Sequence, residues 1–169
     1  MALVGWLWAT GAAYADPALE IKEGTWELGG HATANITIDR GVTDLYLDLS
    51  PTVGYFVGRD LELLGGLSIY VHGQDVGVGF FGGVDYLFPT DGARPYLGGT
   101  VGYNTDVFTY GPYQYTASDV VTLSGRGGIL LPLNRRVGLD LGVRVNLNIA
   151  DTGTSTEIPL GYLGVRAFF

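Results

Sequence analysis

The most reactive side chains in the sequence are its two histidines, His31 and His72, and there is no cysteine. His72 precedes Asp75 by three residues, and a histidine oriented by a carboxylate can activate a serine hydroxyl. No serine is adjacent to this pair in the sequence, so Ser118 or Ser155 would have to approach it through the fold. We therefore predict that the chain has no catalytic residues and is not an enzyme.

The sequence also lacks the patterns of metal, nucleotide and nucleic-acid sites. The two histidines lie in separate segments, unlike the closely spaced ligands of a zinc site. The Gly-x-Gly run at residues 77–79 lies inside an alternating segment and does not open a helix, as a nucleotide-binding loop does. The formal net charge of −8 argues against nucleic-acid binding, because phosphate recognition requires clustered Lys and Arg. We expect no metal, no cofactor and no nucleic-acid partner.

A second candidate group consists of carboxylates and arginines that occupy equivalent positions in alternating segments of the chain. Its members are Glu27, Asp48, Glu62, Asp85, Arg126, Asp140, Arg144 and Arg166. Burial of an unpaired charge is costly, whereas a hydrogen-bonded network of opposite charges can persist inside a protein. We predict that these side chains share one interior as a structural polar network, and a gated path for ions is the alternative.

The elements that would position these groups are defined by an alternation of apolar and polar residues. In residues 137–150 every odd position is Val, Leu or Ile, and the even positions are Gly, Asp, Arg, Asn or Ala. Successive side chains of a strand point to opposite faces, so this pattern predicts a strand with one continuous apolar face. The alternation recurs in eight segments, which are residues 24–38, 44–57, 61–72, 76–88, 95–109, 118–132, 137–150 and 157–169.

The connections between these segments alternate in character. Three of them are tight and charged, at residues 58–60, 90–94 and 134–136. The other four lie at residues 39–43, 73–75, 110–117 and 151–156. An even number of strands, with short periplasmic turns on the side of both termini, is typical of bacterial barrels. The predicted fold class is therefore all-β, an eight-stranded antiparallel up-and-down transmembrane β-barrel with its tight turns in the periplasm.

The composition of the two faces indicates which one points outward. The polar face is mainly Gly, Ser, Thr and Asn, and Lys22 is the only lysine, so it makes a poor water-exposed surface for a soluble barrel. The apolar face carries essentially no charge, as a lipid-facing band requires. We therefore predict that the apolar face meets lipid and that the charged group described above lines the lumen.

Aromatic residues on the outward parity cluster near the tight-turn end. They are Trp26, Tyr55, Tyr86, Phe88 and Phe169. Amphipathic rings prefer the level of the lipid headgroups, so we predict that these five form an aromatic girdle. Tyr110, Tyr113 and Tyr115, around Gly111-Pro112, are predicted to form an outer girdle, with a ligand-binding loop as the alternative.

Two segments of the chain resemble a known family. Residues 49–63, LSPTVGYFVGRDLEL, look like the strand-turn-strand segment of small outer-membrane barrel proteins related to OmpX and the OmpA barrel. Residues 161–169, GYLGVRAFF, are similar to the C-terminal strand of that family. The resemblance covers roughly everything after Gly24 and implies a porin-like barrel in the outer membrane of a Gram-negative bacterium. It also implies that the barrel-assembly machinery reads the terminal strand, which ends in Phe169.

The resemblance bears on function less directly than on fold. The surface connections are too short for the protruding sheet of OmpX-like proteins, which argues against an adhesive role. Some small outer-membrane barrels are lipid A acyltransferases or deacylases, so a lipid A-modifying enzyme is one alternative function.

The beginning of the chain has the features of a secretory signal peptide. Residues 1–10 are almost wholly apolar, and residues 11–15, GAAYA, end in an A-x-A pattern before Asp16-Pro17. No Lys or Arg precedes the apolar run, which suggests a signal truncated at its start. We expect a signal peptide at residues 1–15, a short periplasmic segment at 16–23 and the barrel at 24–169.

These patterns predict a structural or interaction protein of the outer membrane. An eight-stranded barrel is just wide enough to be filled by its own side chains, so we expect a closed lumen. The predicted surroundings are outer-membrane lipid and lipopolysaccharide, and the predicted oligomeric state is a monomer. A lipid A-modifying enzyme and a narrow gated channel are the alternatives.

Overall fold

The computed structural model describes residues 18–39, 42–72, 75–110, 113–151, 153–159 and 161–169. The side chains of residues 34–46, 72–75 and 106–118 lie outside that description. Two predictions therefore lie outside the described residues or side chains. The signal peptide at residues 1–15 is outside the described residues, and the outer girdle rests on the side chains of Tyr110, Tyr113 and Tyr115, which are not described.

Strands account for most of the described residues. They are β1 (Trp26–Asp39), β2 (Val42–Phe56), β3 (Leu61–His72), β4 (Asp75–Leu87), β5 (Arg94–Tyr110), β6 (Tyr113–Pro132), β7 (Val137–Ala150), β8 (Gly153–Glu157) and β9 (Tyr162–Phe168). Branched and aromatic residues at alternate positions favour the extended conformation, because they pack well on a pleated surface. The described residues contain no helix that is long and apolar enough to cross a membrane.

The strands close into a single barrel. Each of β1 to β7 pairs antiparallel with its sequence neighbour, and β9 pairs with both β7 and β1. In the closing pair, Glu27 lies opposite Phe168 and Ala32 lies opposite Leu163. Beyond the last paired residues, the amide nitrogens of Trp26 and Phe169 each donate to the other residue's carbonyl oxygen, over 3.1 and 2.9 Å. Because β8 and β9 follow each other along β7, the wall has eight strand positions, as the sequence predicts.

The last segment, predicted as one strand over residues 157–169, is interrupted. β8 ends at Glu157 and β9 begins at Tyr162. Pro159 has no N–H to donate to a strand ladder, and Gly161 has a φ of 146°, which L side chains rarely adopt. The prediction of a continuous final strand is therefore wrong.

The two longest predicted connections are shorter than expected. The loop expected at residues 110–117 is reduced because β5 continues to Tyr110 and β6 begins at Tyr113. Residues 153–156 of the loop expected at 151–156 belong to β8, which forms a hairpin with β7. Both regions contain Thr, Tyr or Ser, residues that extend a paired strand as readily as they form a loop.

The two faces of the wall differ as the alternation predicts. Outward side chains such as Leu97 and Phe80 are 63% and 61% exposed, whereas inward Glu62 and Asp85 are 0% exposed. The exterior of the barrel is therefore an apolar band, and most of the charged candidate residues lie inside. This arrangement is the reverse of a soluble domain and suits an exterior solvated by lipid.

The tight-turn end of the lumen is closed by an apolar base, which the sequence analysis did not predict. It contains Leu19 and Ile21 from the N-terminal segment together with inward side chains of the strands, namely Phe56, Leu87, Leu130 and Phe168. The amide of Glu20 donates to the carbonyl of Arg135 over 2.9 Å, which ties the segment to a tight turn. The expectation of a polar or small inward face throughout is wrong at this end, where apolar burial excludes water.

Candidate functional site in the barrel lumen

The strand register brings the candidate charges into neighbouring levels of the lumen, above the apolar base. Glu62 on β3 lies directly opposite Asp85 on β4, and Arg126 on β6 lies opposite Arg144 on β7. Glycines make room for the carboxylates, because a Cβ at Gly54 would overlap the Glu62 side chain. A glycine in the barrel wall therefore leaves space in the lumen for a carboxylate side chain.

Arg166 is the centre of the lower cluster, which we define as Glu27, Glu62, Asp85, Arg126, Asp140 and Arg166 with Tyr96 and Tyr162. Its Nε donates to Asp140 over 2.8 Å, and its Nη2 donates to Asp85 over 3.0 Å. Its Nη1 donates to both Glu27 and Glu62, each over 3.2 Å. The guanidinium group thus contacts four carboxylates while only 4% exposed, so its burial is compensated by charge-assisted hydrogen bonds.

Arg126 and the two tyrosines complete the lower cluster. Arg126 makes a two-point contact with Asp85, in which its Nε donates over 2.8 Å and its Nη2 donates to the second carboxylate oxygen. The Tyr96 hydroxyl donates to Asp140 over 2.6 Å and also contacts the Tyr162 hydroxyl. The Arg166 guanidinium lies 4.8 Å from the centre of the Tyr96 ring, in cation–π range. Each carboxylate of the cluster therefore accepts a hydrogen bond from at least one side chain on another strand.

An upper cluster, consisting of His31, Asp48, Ser50 and Arg144, lies further from the tight turns. Arg144 Nη2 donates to Asp48 over 3.1 Å, and its Nη1 lies 3.2 Å from the His31 Nε2. The Ser50 hydroxyl donates to the other oxygen of Asp48 over 2.7 Å. The Arg144 and Asp48 side chains are 13% and 21% exposed, so this cluster is more open to water than the lower one.

A small polar cavity separates the two clusters. Its lining residues are Glu27, Gly30, His31, Thr52, Arg126, Asp140 and Arg166. It has room for about one water molecule, which polar walls of this kind hold by several hydrogen bonds. Arg126 and Arg166, which line the cavity, are both held in place by carboxylates of the lower cluster.

Neutral side chains continue the lumen beyond the upper cluster. The Asn104 amide donates to the Thr122 hydroxyl over 3.0 Å, and this hydroxyl donates to Asn148 over 2.9 Å. The Ser124 hydroxyl donates to Asn146 over 2.8 Å on the same side of the lumen. From the tight turns upward, the interior is therefore apolar, then ionic, then neutral and polar.

The structure places all eight predicted charged residues in the lumen, but not in one group. Asp48 and Arg144 are in the upper cluster, and the other six are in the lower cluster. The sequence analysis missed Tyr96 and Tyr162, although both have the inward parity of their strands. It considered His31 only as a catalytic or metal ligand, whereas this ring packs 4.7 Å from the Tyr162 ring.

The catalytic alternative finds little geometry to support it. The side chains of His72, Asp75 and Ser118 lie outside the described residues. His31 contacts Arg144, and within the described part of the chain no serine hydroxyl is hydrogen-bonded to it. No group of three His, Cys, Asp or Glu side chains suited to a metal ion occurs among the described residues.

The five predicted girdle residues are exposed at the tight-turn end. Trp26 packs on Tyr55 with ring centres 5.0 Å apart, and Tyr86 packs on Phe88 at 5.1 Å. Phe169 is 71% exposed at the end of β9. Their position beside the tight turns is compatible with the headgroup level, and their role as a girdle stays a prediction.

This chain resembles known proteins in its three-dimensional structure. No protein-family model matches the chain, and no curated protein matches it. The N-terminal β-barrel domain of Pseudomonas aeruginosa OprF superposes with a TM-score of 0.68 at 16% identity, covering 88% of this chain and 99% of that one. Neisserial surface protein A (NspA) superposes with a TM-score of 0.68 at 21% identity, covering 89% and 100%. This chain has the fold of a small outer-membrane β-barrel.

Other solved structures agree with this assignment of the fold. Ail, the attachment invasion locus protein of Yersinia pestis, superposes with a TM-score of 0.55 at 13% identity, covering 87% of this chain and 99% of that one. The barrel of this chain therefore spans nearly the whole of each of these solved structures. Outer-membrane β-barrels of this size present an apolar exterior to lipid, and this barrel presents the same kind of exterior.

Proposed function

We propose that this small outer-membrane β-barrel is a monomeric structural or interaction protein whose lumen is closed to ions. The observation that carries the proposal is the contact of the Arg166 guanidinium group with four buried carboxylates across the lumen. An ion crossing the lower cluster would have to break ion pairs that water does not reach, because the residues of this cluster are only 0% to 6% exposed. Breaking a buried ion pair is costly, since it leaves an uncompensated charge.

The apolar base adds a second barrier on the side of the tight turns. Phe56 and Leu87 are 0% exposed and Phe168 is 1% exposed, so no water-filled path reaches the lower cluster through these side chains. An ion entering an apolar layer without compensating ligands pays a large desolvation cost. Two barriers of different chemistry in series favour a structural lumen over a conducting one.

Planar-bilayer recording tests the proposal directly. The full chain, reconstituted at many copies per bilayer, is expected to give no steady conductance at any applied voltage that the bilayer tolerates. An Arg166→Ser variant with Arg126→Ser removes both guanidinium groups from the lower cluster and serves as the matched comparison, once unboiled gels show that its barrel has folded. A steady conductance in the unmodified protein would promote the gated-channel alternative and overturn the closed lumen.

The proposed partners follow from the exterior and from the end of the chain. We propose that the apolar band contacts outer-membrane lipid and lipopolysaccharide. We propose in addition that the barrel-assembly machinery recognises β9, whose outward residues Leu163 and Val165 are 55% and 50% exposed and are followed by Phe169. Before the barrel closes, such a strand offers alternate apolar side chains and an unpaired backbone edge for recognition.

A further inference from the structure

The lower cluster contains more carboxyl groups than guanidinium groups. It has four of the first and two of the second, and its residues are only 0% to 6% exposed. The hydroxyl groups of Tyr96 and Tyr162 are neutral, so they add hydrogen bonds but no charge. With all carboxyl groups ionised, the cluster would hold a net charge of −2 away from solvent. Burial of an uncompensated charge is so costly that a buried acid usually takes up a proton instead.

Among the described residues, the neighbouring side chains do not supply the missing positive charge. Arg144 is paired with Asp48 in the upper cluster, so that pair is neutral. A guanidinium group only donates, so the contact of Arg144 Nη1 with His31 Nε2 makes this nitrogen an acceptor and leaves the imidazole uncharged. Nearer the tight turns, Arg94 and Asp60 carry opposite charges, and neither is hydrogen-bonded to the lower cluster.

Two of the four carboxylates are well supplied with donors. Asp85 accepts from Nε and Nη2 of Arg126 and from Nη2 of Arg166. Asp140 accepts from Arg166 Nε and from the Tyr96 hydroxyl. Hydrogen bonds from cations and hydroxyl groups favour the ionised form of a carboxyl group. A proton bound by the cluster therefore belongs on the other two carboxyl groups.

Glu27 and Glu62 lie side by side with few donors. Both accept from one nitrogen, Arg166 Nη1, and each carboxylate oxygen is 3.2 Å from it. The two carboxyl groups are within hydrogen-bonding range of each other. They border the same glycine, since a Cβ on Gly54 would overlap Glu62 Oε1 and lie 3.2 Å from the Glu27 Cβ. Glu62 is 0% exposed, and its Oε1 has no hydrogen-bond partner among the described residues.

We propose that Glu27 and Glu62 form a proton-binding site, in which the two carboxyl groups share one proton at neutral pH. Two carboxyl groups in one site resist double ionisation, because their like charges repel. The shared proton gives Glu62 Oε1 a hydrogen-bond partner and lowers the net charge of the cluster from −2 to −1. The inference goes beyond the closed lumen, since it assigns a ligand to the lower cluster.

The proposal fixes the sign of a pH dependence. The folded barrel holds one proton that the unfolded chain does not, because an exposed glutamate is ionised above about pH 5. Unfolding therefore releases a proton, and the barrel becomes less stable as the pH rises. For this site the equilibrium constant of unfolding increases about tenfold per pH unit, as long as the folded pair keeps its proton.

Infrared spectroscopy detects the proton directly. The full chain, refolded in lipid vesicles at neutral pH, is expected to show the C=O stretching band of a protonated carboxyl group, which shifts when D₂O replaces H₂O. Glu62→Gln and Glu27→Gln should each remove this band, because the glutamate that remains keeps Arg166 as its partner and ionises. Asp48→Asn is the matched control and should retain the band, because Asp48 is paired with its own arginine in the upper cluster.

Urea unfolding between about pH 6 and pH 8 gives a second, independent measurement. The ratio of the unfolding constant of the unmodified chain to that of Glu62→Gln should rise about 100-fold over these two pH units. Contributions from His31 and from the other titratable groups are common to both proteins and cancel in the ratio. Asp48→Asn should show the pH dependence of the unmodified chain.

The remaining outcomes separate a shared proton from other ways of balancing the charge. A band that survives Glu27→Gln would place the proton on Glu62 alone and refute the sharing. Absence of the band from the unmodified chain, or an identical pH dependence of that chain and Glu62→Gln, would overturn the site. A stability that depends on Na⁺ concentration in place of pH would show that a metal cation balances the cluster. Each variant must show the gel shift on boiling that marks a folded barrel, and the band of the unmodified chain is measured without any variant.

Discussion

At the scale of single residues, the lumen depends on one arginine more than on any carboxylate. Arg166 contacts Glu27, Glu62, Asp85 and Asp140, whereas Asp85 also has Arg126 and Asp140 also has Tyr96. Removing Arg166 therefore leaves Glu27 and Glu62 without a guanidinium partner. Removing one carboxylate leaves Arg166 with three carboxylate partners.

This asymmetry gives a prediction for stability. Arg166→Met should lower the free energy of unfolding by about 3 to 5 kcal/mol, the usual cost of leaving buried charges uncompensated. Glu27→Gln, which keeps the shape and one acceptor, should cost only about 1 kcal/mol. Urea unfolding of the two variants in detergent micelles, followed by tryptophan fluorescence, measures both losses. Equal losses would mean that the arginine is not the centre of the cluster.

The sequence predicted which charged residues belong to this group, but not that Arg166 contacts more of them than any other residue does. Alternation assigns Glu27 and Arg166 to the same interior, because parity fixes the face of a strand on which a side chain lies. It does not give the height or the reach of a long side chain. The separation of Asp48 and Arg144 into an upper cluster follows from register and rotamer, which become defined only when the barrel closes.

At the scale of elements, β7 has the clearest division between its faces. Leu141 is 41% exposed on the exterior, and Asn146 points inward and accepts a hydrogen bond from Ser124. Leu141→Arg should cost about 2 to 4 kcal/mol if the position lies near the bilayer midplane. Asn146→Ser should lower the free energy of unfolding far less, because a hydroxyl replaces an amide in a partly exposed part of the lumen. Refolding into lipid vesicles at graded urea concentrations compares the two, and similar losses would contradict the assigned faces.

The N-terminal segment has a structural role that its position in the sequence does not suggest. Leu19 is 3% exposed in the apolar base, whereas the neighbouring Glu20 side chain is 60% exposed. Leu19→Ala should lower stability by about 2 to 5 kcal/mol, as for other buried leucines. Glu20→Ala should change it by less than about 0.5 kcal/mol, because its pair with Arg135 is on the surface. Unfolding midpoints of both variants test this, and a silent Leu19→Ala would show that the segment does not pack there in solution.

The strands were more predictable than the base or the break in the last strand. Seven of the segments follow period-two alternation, which is a direct consequence of strand geometry. The base was missed because Phe56, Leu87, Leu130 and Phe168 place apolar side chains on the polar parity. The break at residues 158–161 carried a visible signal in Pro159 and Gly161, which a consistent treatment of turn residues would have used.

At the scale of the whole molecule, assembly is expected to depend on Phe169, which follows β9 directly. Phe169 is exposed beyond β9 and is bonded through its backbone to Trp26. In cells, Phe169→Ala should slow the appearance of the heat-modifiable barrel in the outer-membrane fraction, while Phe88→Ala, on the same exterior, should not. Pulse-labelling followed by fractionation and unboiled gels gives the rates. Recovery of the unmodified chain in the soluble periplasm would contradict the membrane assignment altogether.

The hydrogen bonds between Trp26 and Phe169 have a consequence for timing. One edge of β1 is covered by β9, the last of the described strands along the chain. A chain exported from β1 onward would therefore leave that edge of β1 without its partner until β9 has also been exported. A barrel interrupted at that stage would present an unpaired strand edge, to which other chains can pair and aggregate.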